Sequence, residues 1–224
     1  STTMIVLWDL DGTLLLDNSP EGGESVFAQA LRDVTGLTDV TVPERHGKVD
    51  WQILDEMRRG AGQPDTVAGP LTRRFVELSE AWYAQPENAC DPVPGVQEAL
   101  AAVHTNGWTN ALITGNSKQR TRVKLTSAGY DLALFDWGHS FFGAIYPDRA
   151  ALAWAAARAV HNGVLVGDTE GDGVAANAGG FAFVAVTTGG TDAGKLAKFG
   201  PVLVVDDWTT QLEDFLTVVK RSVR

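Results

Sequence analysis

The amino-acid sequence predicts an α/β protein with a doubly wound, mostly parallel sheet and an all-helical segment inserted after the first strand. Short, continuous apolar runs recur along the chain, as expected for parallel strands that are buried on both faces. Stretches with helical spacing lie between most of these runs, which favours alternating strands and helices. One region, residues 17–90, shows helical spacing without any convincing apolar run.

The first predicted strand is Ile5-Val6-Leu7-Trp8, which ends directly at two carboxylates. Between the later runs, Val96, Leu100 and Val103 form one apolar helical face. The predicted helices end near Asn-Gly pairs, which favour helix termination. Strand and helix alternate as in a Rossmann-like sheet. The later predicted strands lie at residues 109–113, 164–166, 181–186 and 202–205.

The inserted region is predicted to contain three helices, near residues 23–35, 51–60 and 70–84. The prolines of the following segment, residues 91–95, fix φ and prevent helix formation, so this segment is predicted to be a stiff connection. We therefore expect a Rossmann-like core formed by residues 1–16 and 91–224, and a helical domain formed by residues 17–90.

Composition limits the possible partners. The 224 residues are 44% apolar and 21% charged, which is typical of a soluble globular protein. The net charge of −10 argues against a nucleic-acid or anionic-membrane partner, because both require a basic surface. Cys90 is the only cysteine, so no intrachain disulfide can form and a cytoplasmic location is expected. Cys90 itself is expected to be a buried apolar residue.

Two carboxylates, Asp9 and Asp11, follow the first strand. Ligands bind at the carboxyl ends of parallel strands, and two acids at positions i and i+2 can face one pocket there. Their mutual repulsion requires a cation or a proton, and carboxylate oxygens beside an open position suit Mg²⁺. Gly12 allows a sharp turn. The alternative is an ordinary Asp-Gly turn.

The second core strand ends at Thr114-Gly115-Asn116, directly before a helix rich in basic residues. Backbone N–H groups at a helix N-terminus form an anion site. The alternative is a simple helix cap by Thr114, Asn116 or Ser117.

A third strand ends at Gly167-Asp168-Thr169-Glu170-Gly171-Asp172. Asp168 is the predicted third metal ligand. Asp172 is expected to orient Asp168, to bind the metal through water, or to cap the next helix. A dinucleotide site is not favoured, because no G-x-G-x-x-G follows the strand and the acids would repel a pyrophosphate.

In combination, these motifs resemble the haloacid dehalogenase superfamily, and in particular its phosphatase branch with a helical cap, as in phosphoglycolate phosphatase-like proteins. The resemblance covers the whole chain in order and spacing. The residues that carry it are Asp9-Leu10-Asp11-Gly12-Thr13, Thr114-Gly115-Asn116 and Gly167-Asp168-Thr169-Glu170-Gly171-Asp172.

The resemblance implies that Asp9 is a nucleophile that forms an aspartyl-phosphate, and that Asp11 is the general acid and base. It also implies that Mg²⁺ is held by the side chains of Asp9 and Asp168 and by the backbone carbonyl of Asp11. Thr114 and the amides of Gly115 and Asn116 would then bind phosphate oxygens. Asp172 is not among these implied metal ligands, and it is expected to contact them instead.

One departure concerns a lysine, often in a Lys-Pro pair, that the family usually carries about twenty residues before its last motif. No lysine lies between Lys124 and Asp168. We expect Arg149 to replace it, since an Arg fork can bind phosphate oxygens although it is not equivalent to Lys. The alternative is a surface Arg149 that pairs with Asp148.

The expected function is Mg²⁺-dependent hydrolysis of a small phosphorylated metabolite, phosphoglycolate-like or a sugar phosphate. An acid at Asp11 favours phosphate esters over halides, because a departing halide needs no proton. His46 and Lys48 are candidate specificity residues in the cap, unless they form a solvated loop. A sugar-phosphate mutase and a non-catalytic phospho-ligand-binding protein are the alternatives, and we expect a monomer or homodimer.

Four tryptophans at helical spacing are expected to pack in the core, because aromatic residues with this spacing are usually buried. They are Trp51, Trp82, Trp154 and Trp208.

Overall fold

The computed structural model describes residues 3–143 and 146–224 of the chain. Its helices are α1 (Pro20–Thr35), α2 (Asp50–Gly60), α3 (Ala68–Ala84), α4 (Val96–Thr105), α5 (Lys118–Ser127), α6 (Arg149–Ala159), α7 (Glu170–Gly179), α8 (Ala193–Ala197) and α9 (Trp208–Ser222). Its strands are β1 (Ile5–Trp8), β2 (Leu15–Leu16), β3 (Asp91–Pro92), β4 (Thr109–Thr114), β5 (Phe141–Phe142), β6 (Gly163–Gly167), β7 (Ala182–Val186) and β8 (Leu203–Val205).

Six strands form one parallel sheet in the order β5-β4-β1-β6-β7-β8. Strand β1 lies between β4 and β6, and Trp8 is in register with Leu112 on one side and Val166 on the other. The strand order reverses at β1, so the crevice outside the carboxyl ends of β1, β4 and β6 is the expected ligand-binding position of such a sheet. The predicted doubly wound α/β fold is confirmed.

Helices cover both faces of the sheet, and alternate residues of β1 serve the two layers. Leu7 packs in the layer that contains Leu152 of α6. Trp8 packs in the other layer, where its ring lies 5.6 Å from those of Trp208 and Phe215. A strand buried on both faces explains why its sequence is continuously apolar.

Helices α1, α2 and α3 pack around a separate apolar cluster, in which the rings of Phe27 and Phe75 lie 4.3 Å apart. Leu15 and Leu16 pair with Pro92 and Asp91 in an antiparallel ladder where the chain leaves and re-enters the sheet. The predicted connection at residues 91–95 therefore contains a two-residue strand that the sequence did not indicate. The division into residues 1–16 and 91–224 and residues 17–90 stays a prediction.

Two of the four tryptophans differ from expectation. Trp208 is fully buried and Trp82 packs against the core, but Trp51 is 40% exposed and Trp154 is 60% exposed. Helical spacing identifies a face of a helix, but it does not indicate how fully a neighbouring element covers each residue on that face. The thiol of Cys90 is buried as expected. Among the described residues, no helix combines the length and the apolar character needed to cross a membrane.

Candidate active site

Three carboxylates converge at the carboxyl ends of β1 and β6. Asp9 directly follows β1, Asp168 directly follows β6, and Asp172 lies in the first turn of α7. One oxygen from each lies within 4.8 Å of the others, and all three residues are buried. The register of β1 with β6 brings these residues together, although they are far apart in the sequence.

Local structure orients two of these carboxylates. The side chain of Thr169 accepts a hydrogen bond from the backbone N–H of Asp172, and Oδ2 of Asp172 accepts one from the Thr169 N–H at 3.1 Å. This reciprocal cap starts α7 and fixes Asp172. Asp168 accepts a hydrogen bond from the Thr13 hydroxyl at 3.1 Å. Gly12 has a φ of +78°, and a Cβ there would overlap the Asp168 carboxylate.

The electrostatics of the cluster call for a cation. Burial raises the pKa of Asp9 well above its usual range, and the carboxylates of Asp172 and Asp168 add to this effect while Arg149 opposes it. Burial and the Asp172 carboxylate also raise the pKa of Asp168 to about 7. Hard oxygen donors that repel one another in a buried site fit a divalent cation such as Mg²⁺. The donor set is therefore compatible with the expected metal.

The side chain of Asp11 lies outside this cluster. Its Oδ1 lies 2.7 Å from Nζ of Lys124, and its Oδ2 accepts a hydrogen bond from the Asn116 side chain at 2.8 Å. Burial tends to raise the pKa of Asp11, but the charge and hydrogen bond of Lys124, together with Asn116, outweigh it and hold the pKa below its usual value. The expectation for the metal concerns the backbone carbonyl of Asp11, so this side-chain geometry does not contradict it.

The segment after β4 lies beside Asp11. The hydroxyl of Thr114 accepts hydrogen bonds from the backbone N–H and the side-chain amide of Asn116, at 3.1 and 2.9 Å. The cap of α5 is Ser117, whose hydroxyl accepts from the Arg120 N–H at 3.2 Å. Ser117 is therefore the cap of α5, and neither Thr114 nor Asn116 serves as one.

Arg149, at the start of α6, contacts the carboxylate cluster. Its Nη2 donates to Oδ1 of Asp172 at 3.1 Å. Asp148, the alternative partner, instead caps α6 by accepting from the Ala151 N–H at 2.8 Å. The guanidinium also approaches Gly115, since a Cβ on that glycine would lie 3.5 Å from Nη1. A permanent positive charge therefore lies between the cluster and the segment after β4.

A cavity of about 570 Å³ connects these groups to the helical segment. His46 and Lys48 line its helical side, and Nζ of Lys48 lies 2.8 Å from Glu56. Three further basic residues also line the cavity, and the sequence motifs did not single them out. They are Arg45, Arg120 and Lys124.

Comparison with protein-family models assigns the chain to a family. Residues 6–140 match the model of the haloacid dehalogenase-like hydrolases, which is more than half of the chain. The chain belongs to the haloacid dehalogenase-like hydrolases. Residues 146–210 match a second model of this type, described as HAD-hydrolase-like.

Curated relatives support the same assignment. The phosphoglycolate phosphatase of Cereibacter sphaeroides is 31% identical over 199 residues, which cover 82% of this chain and 85% of that protein. The phosphoglycolate phosphatase of Pseudomonas syringae pv. syringae is 29% identical over 213 residues, covering 91% and 76% of the two chains. The resemblance to the phosphatase branch is confirmed.

Solved structures share the fold. A hydrolase from Pseudomonas syringae gives a TM-score of 0.63 at 20% identity, covering 97% of this chain and 99% of that chain. The phosphate complex of CbbY from Rhodobacter sphaeroides gives a TM-score of 0.69 at 17% identity, covering 94% and 96%. At these identities the similarity supports the α/β architecture alone.

Proposed function

We propose that this haloacid dehalogenase-like hydrolase is a Mg²⁺-dependent phosphomonoesterase that acts on a small phosphorylated metabolite through an aspartyl-phosphate on Asp9. The observation that carries the proposal is the convergence of Asp9, Asp168 and Asp172 within 4.8 Å, beside a segment able to bind an anion. Family membership and the phosphatase relatives support the same reaction class.

The proposed metal ligands are the carboxylates of Asp9 and Asp168 and the backbone carbonyl of Asp11. When bound, Mg²⁺ would offset negative charge and so permit an anionic nucleophile to meet an anionic phosphate. Asp172 forms an ion pair with Arg149 at 3.1 Å. The hydrogen bonds between Asp172 and Thr169 keep the Asp172 carboxylate oriented toward the two ligands. We assign Asp172 this supporting role.

In the first step, an oxygen of the Asp9 carboxylate attacks phosphorus, and the bond from phosphorus to the ester oxygen breaks. Asp11 gives a proton to the departing oxygen, which leaves as an alcohol. In the second step, water attacks the aspartyl-phosphate, Asp11 takes a proton from that water, and inorganic phosphate leaves with the Asp9 carboxylate restored. The carboxylate of Asp11, ionised beside Lys124, is the form required of the base. A bound phosphate dianion raises the pKa of Asp11, against the effect of Lys124, and so favours the protonated Asp11 that the first step needs.

Phosphate oxygens are assigned to the Thr114 hydroxyl, the backbone N–H groups of Gly115 and Asn116, and the Arg149 guanidinium. The Asn116 N–H donates to the Thr114 hydroxyl at 3.1 Å and would exchange this acceptor for a phosphate oxygen. The basis of this assignment is that all four residues line the same cavity as Asp9. Arg149 supplies the charge for which the family usually uses lysine, and its fork suits two oxygens at once.

Residues 17–90 are proposed to form the cap that selects the substrate. His46 and Lys48 line the cavity from this side, opposite the carboxylate cluster. Because the similar proteins are phosphoglycolate phosphatases, 2-phosphoglycolate is the first substrate to test, and sugar phosphates follow.

The decisive experiment measures phosphate release from an aryl phosphate and a metabolite panel, with Mg²⁺ and with a chelator, for wild type and Asp9→Asn. The variant should lose all Mg²⁺-dependent release, and acid-quenched wild type should carry phosphate on the peptide that contains Asp9. The matched control is Asp214→Asn, an exposed acid on α9, which should behave as wild type.

Full activity in Asp9→Asn would overturn the proposal. Absence of any release by wild type would favour a binding protein, and retention of the phosphate on a rearranged sugar would favour a mutase.

A further inference from the structure

We propose that Asp50 is a positioning residue that couples the helical segment to the phosphate-binding residues. Asp50 lies outside the sequence motifs named above, and its role in the reaction is an inference that rests on the proposed function. Three hydrogen bonds, here called the Asp50 clasp, join it to the segment after β4.

The clasp joins two regions that are distant in the sequence. The N–H of Asp50 donates to the carbonyl oxygen of Gly115 at 2.8 Å. Its Oδ2 accepts from the Ser117 N–H at 2.8 Å, and its Oδ1 accepts from Nη1 of Arg120 at 3.0 Å. Asp50 is the first residue of α2, whereas Gly115, Ser117 and Arg120 belong to the sheet side of the cavity. Both carboxylate oxygens are thus used for contacts with the other region.

Close packing accompanies these hydrogen bonds. A Cβ on Gly115 would lie 3.0 Å from the carbonyl oxygen of Lys48 and 3.4 Å from Cα of Val49. A Cβ on Gly143 would overlap the Gly115 carbonyl and would also lie 2.7 Å from Cβ of Val49. The backbone at residue 115 is therefore enclosed by residues 48–49 and residue 143, so its position depends on how α2 is docked.

Arg120 extends the clasp toward the reacting groups. Its guanidinium carbon lies 5.4 Å from the ring centroid of Phe27 and 5.0 Å from that of Phe75, inside the apolar cluster of the helical segment. Its Nη1 also donates to Oδ1 of Asn116 at 3.2 Å. The Asn116 side chain in turn donates to Asp11. Asp50 and Arg120 together connect the helical segment to the residue that is assigned the proton transfers.

The proposed consequence is a coupling between cap docking and phosphate binding. The N–H groups that bind phosphate must be aimed at it before it arrives, since a displacement of about 1 Å at such a site can reduce rate about 100-fold. The clasp holds the flanking carbonyl of Gly115 and N–H of Ser117 in place. Coupling is reciprocal, so bound phosphate should also stabilise the docked helical segment.

The test compares three variants of the full chain. Asp50→Asn keeps an acceptor for Ser117 but presents its amide to Arg120. The double variant Asp50→Ala/Arg120→Met removes the clasp without leaving a buried charge unpaired, which would otherwise endanger folding. The control is Asp55→Asn on the same helix, because Asp55 pairs with Arg58 and Arg59, both at 2.9 Å, and contacts neither the sheet nor the cavity.

Two readouts are measured on variants that retain the wild-type circular dichroism spectrum. The dissociation constant of inorganic phosphate in Mg²⁺ reports the binding residues, and hydrogen exchange of the Ser117 amide reports the clasp without requiring turnover. We expect phosphate binding to weaken about tenfold in Asp50→Asn and further in the double variant, with faster exchange at Ser117. Asp55→Asn should match wild type in both.

Phosphate affinity within threefold of wild type in the folded double variant would overturn the inference, as would unchanged exchange at Ser117. Failure of the proposed function is visible separately, as absence of hydrolysis by wild type, whereas failure of the clasp is seen only in the variants. A loss of affinity in Asp55→Asn equal to that in Asp50→Asn would also overturn it, because general destabilisation of α2 would then explain both.

Discussion

Lys124 Nζ lies 2.7 Å from Oδ1 of Asp11 and 3.5 Å from Oδ2 of Asp17. The lysine is buried, and although burial alone would lower its pKa, the neighbouring Asp11 carboxylate raises it above the usual value. A permanently charged ammonium is therefore in contact with the residue that is assigned both proton transfers. Its side chain comes from α5.

Replacing Lys124 should impair turnover. In Lys124→Met, Asp11 loses the ammonium that holds it beside Asn116. We therefore expect kcat for an aryl phosphate to fall at least about tenfold, which is part of the 10²–10⁴-fold contribution of a general acid or base. Steady-state kinetics measure the change. Lys118→Met, at an exposed position of the same helix, is the control and should retain wild-type kcat. Equal activity of the two variants would exclude a role for Lys124 in turnover.

Two replacements of Arg149 should show how much of its effect on activity comes from its positive charge and how much from the fork shape of its guanidinium. Arg149→Met removes the cation 3.1 Å from Asp172, and we expect kcat/KM to fall about 100-fold, as for the loss of one stabilising donor at a reacting group. Arg149→Lys restores the charge as a point rather than a fork, and should recover at least a tenth of wild-type activity. Arg158→Met, at an exposed position of α6, is the control. A fully active Arg149→Met variant would show that the site does not need this charge.

Metal removal should make stability depend on pH in a defined direction. The pKa of Asp168 is about 7 in the folded protein and about 3.9 in an unfolded chain. Between these values the folded state binds more protons, so this group lowers the free energy of unfolding as pH rises from about 4 to 7, by up to about 1.4 kcal/mol per pH unit.

Thermal unfolding of wild type and Asp168→Asn in chelator, at pH 5 and pH 7.5, measures this contribution together with the effect of Asp168 on the pKa of Asp9. The Tm of wild type should fall relative to that of the variant as pH rises, and Mg²⁺ should reverse the loss in wild type only, because the metal binds the ionised carboxylate. Asp214→Asn should follow wild type. A wild-type Tm that rises relative to Asp168→Asn would contradict the pKa direction.

The residues on the helical side of the cavity should govern specificity. His46→Ala and Lys48→Met are expected to raise KM for the preferred metabolite about tenfold while changing kcat/KM for a generic aryl phosphate less than threefold, since the aryl ester lacks the groups they would contact. Arg59→Met, an exposed change on α2, is the control. Parallel losses on both substrates would indicate a general effect on the site.

The sheet was predictable because strand burial leaves a direct mark on the sequence. Strands β1, β6 and β7 are largely buried and apolar, β4 has a buried apolar centre, and β8 is a half-buried apolar strand at the sheet edge. Each was expected within about two residues of its observed bounds, the usual uncertainty of an element end. Strands β2, β3 and β5 have two residues each, which is too short for any periodicity. Their positions depend on pairing with distant segments, which no local pattern encodes.

The acids of the candidate site were predictable for a related reason. Each follows a buried strand, and parallel strands end at one edge of a sheet. Lys124 could not be identified in the same way, because its partner Asp11 is 113 positions away and α5 carries several basic residues. The burial of Lys124 and Arg120 distinguishes them from the exposed Lys118 only once the helix is packed. Asp50 likewise carries no local signal.

The central place of β1 in the sheet has a consequence for biosynthesis. Its two neighbours in the ladder begin at residues 109 and 163, so β1 is synthesised before either strand that pairs with it, and its pairing is complete only once β6 has been made. A nascent chain that has emerged from the ribosome only as far as β4 would display the Asp9 carboxylate but lack Asp168 and Asp172. The proposed hydrolysis would therefore require synthesis to proceed beyond Asp172, and truncated products of a stalled ribosome that end before it would lack two of the three clustered carboxylates.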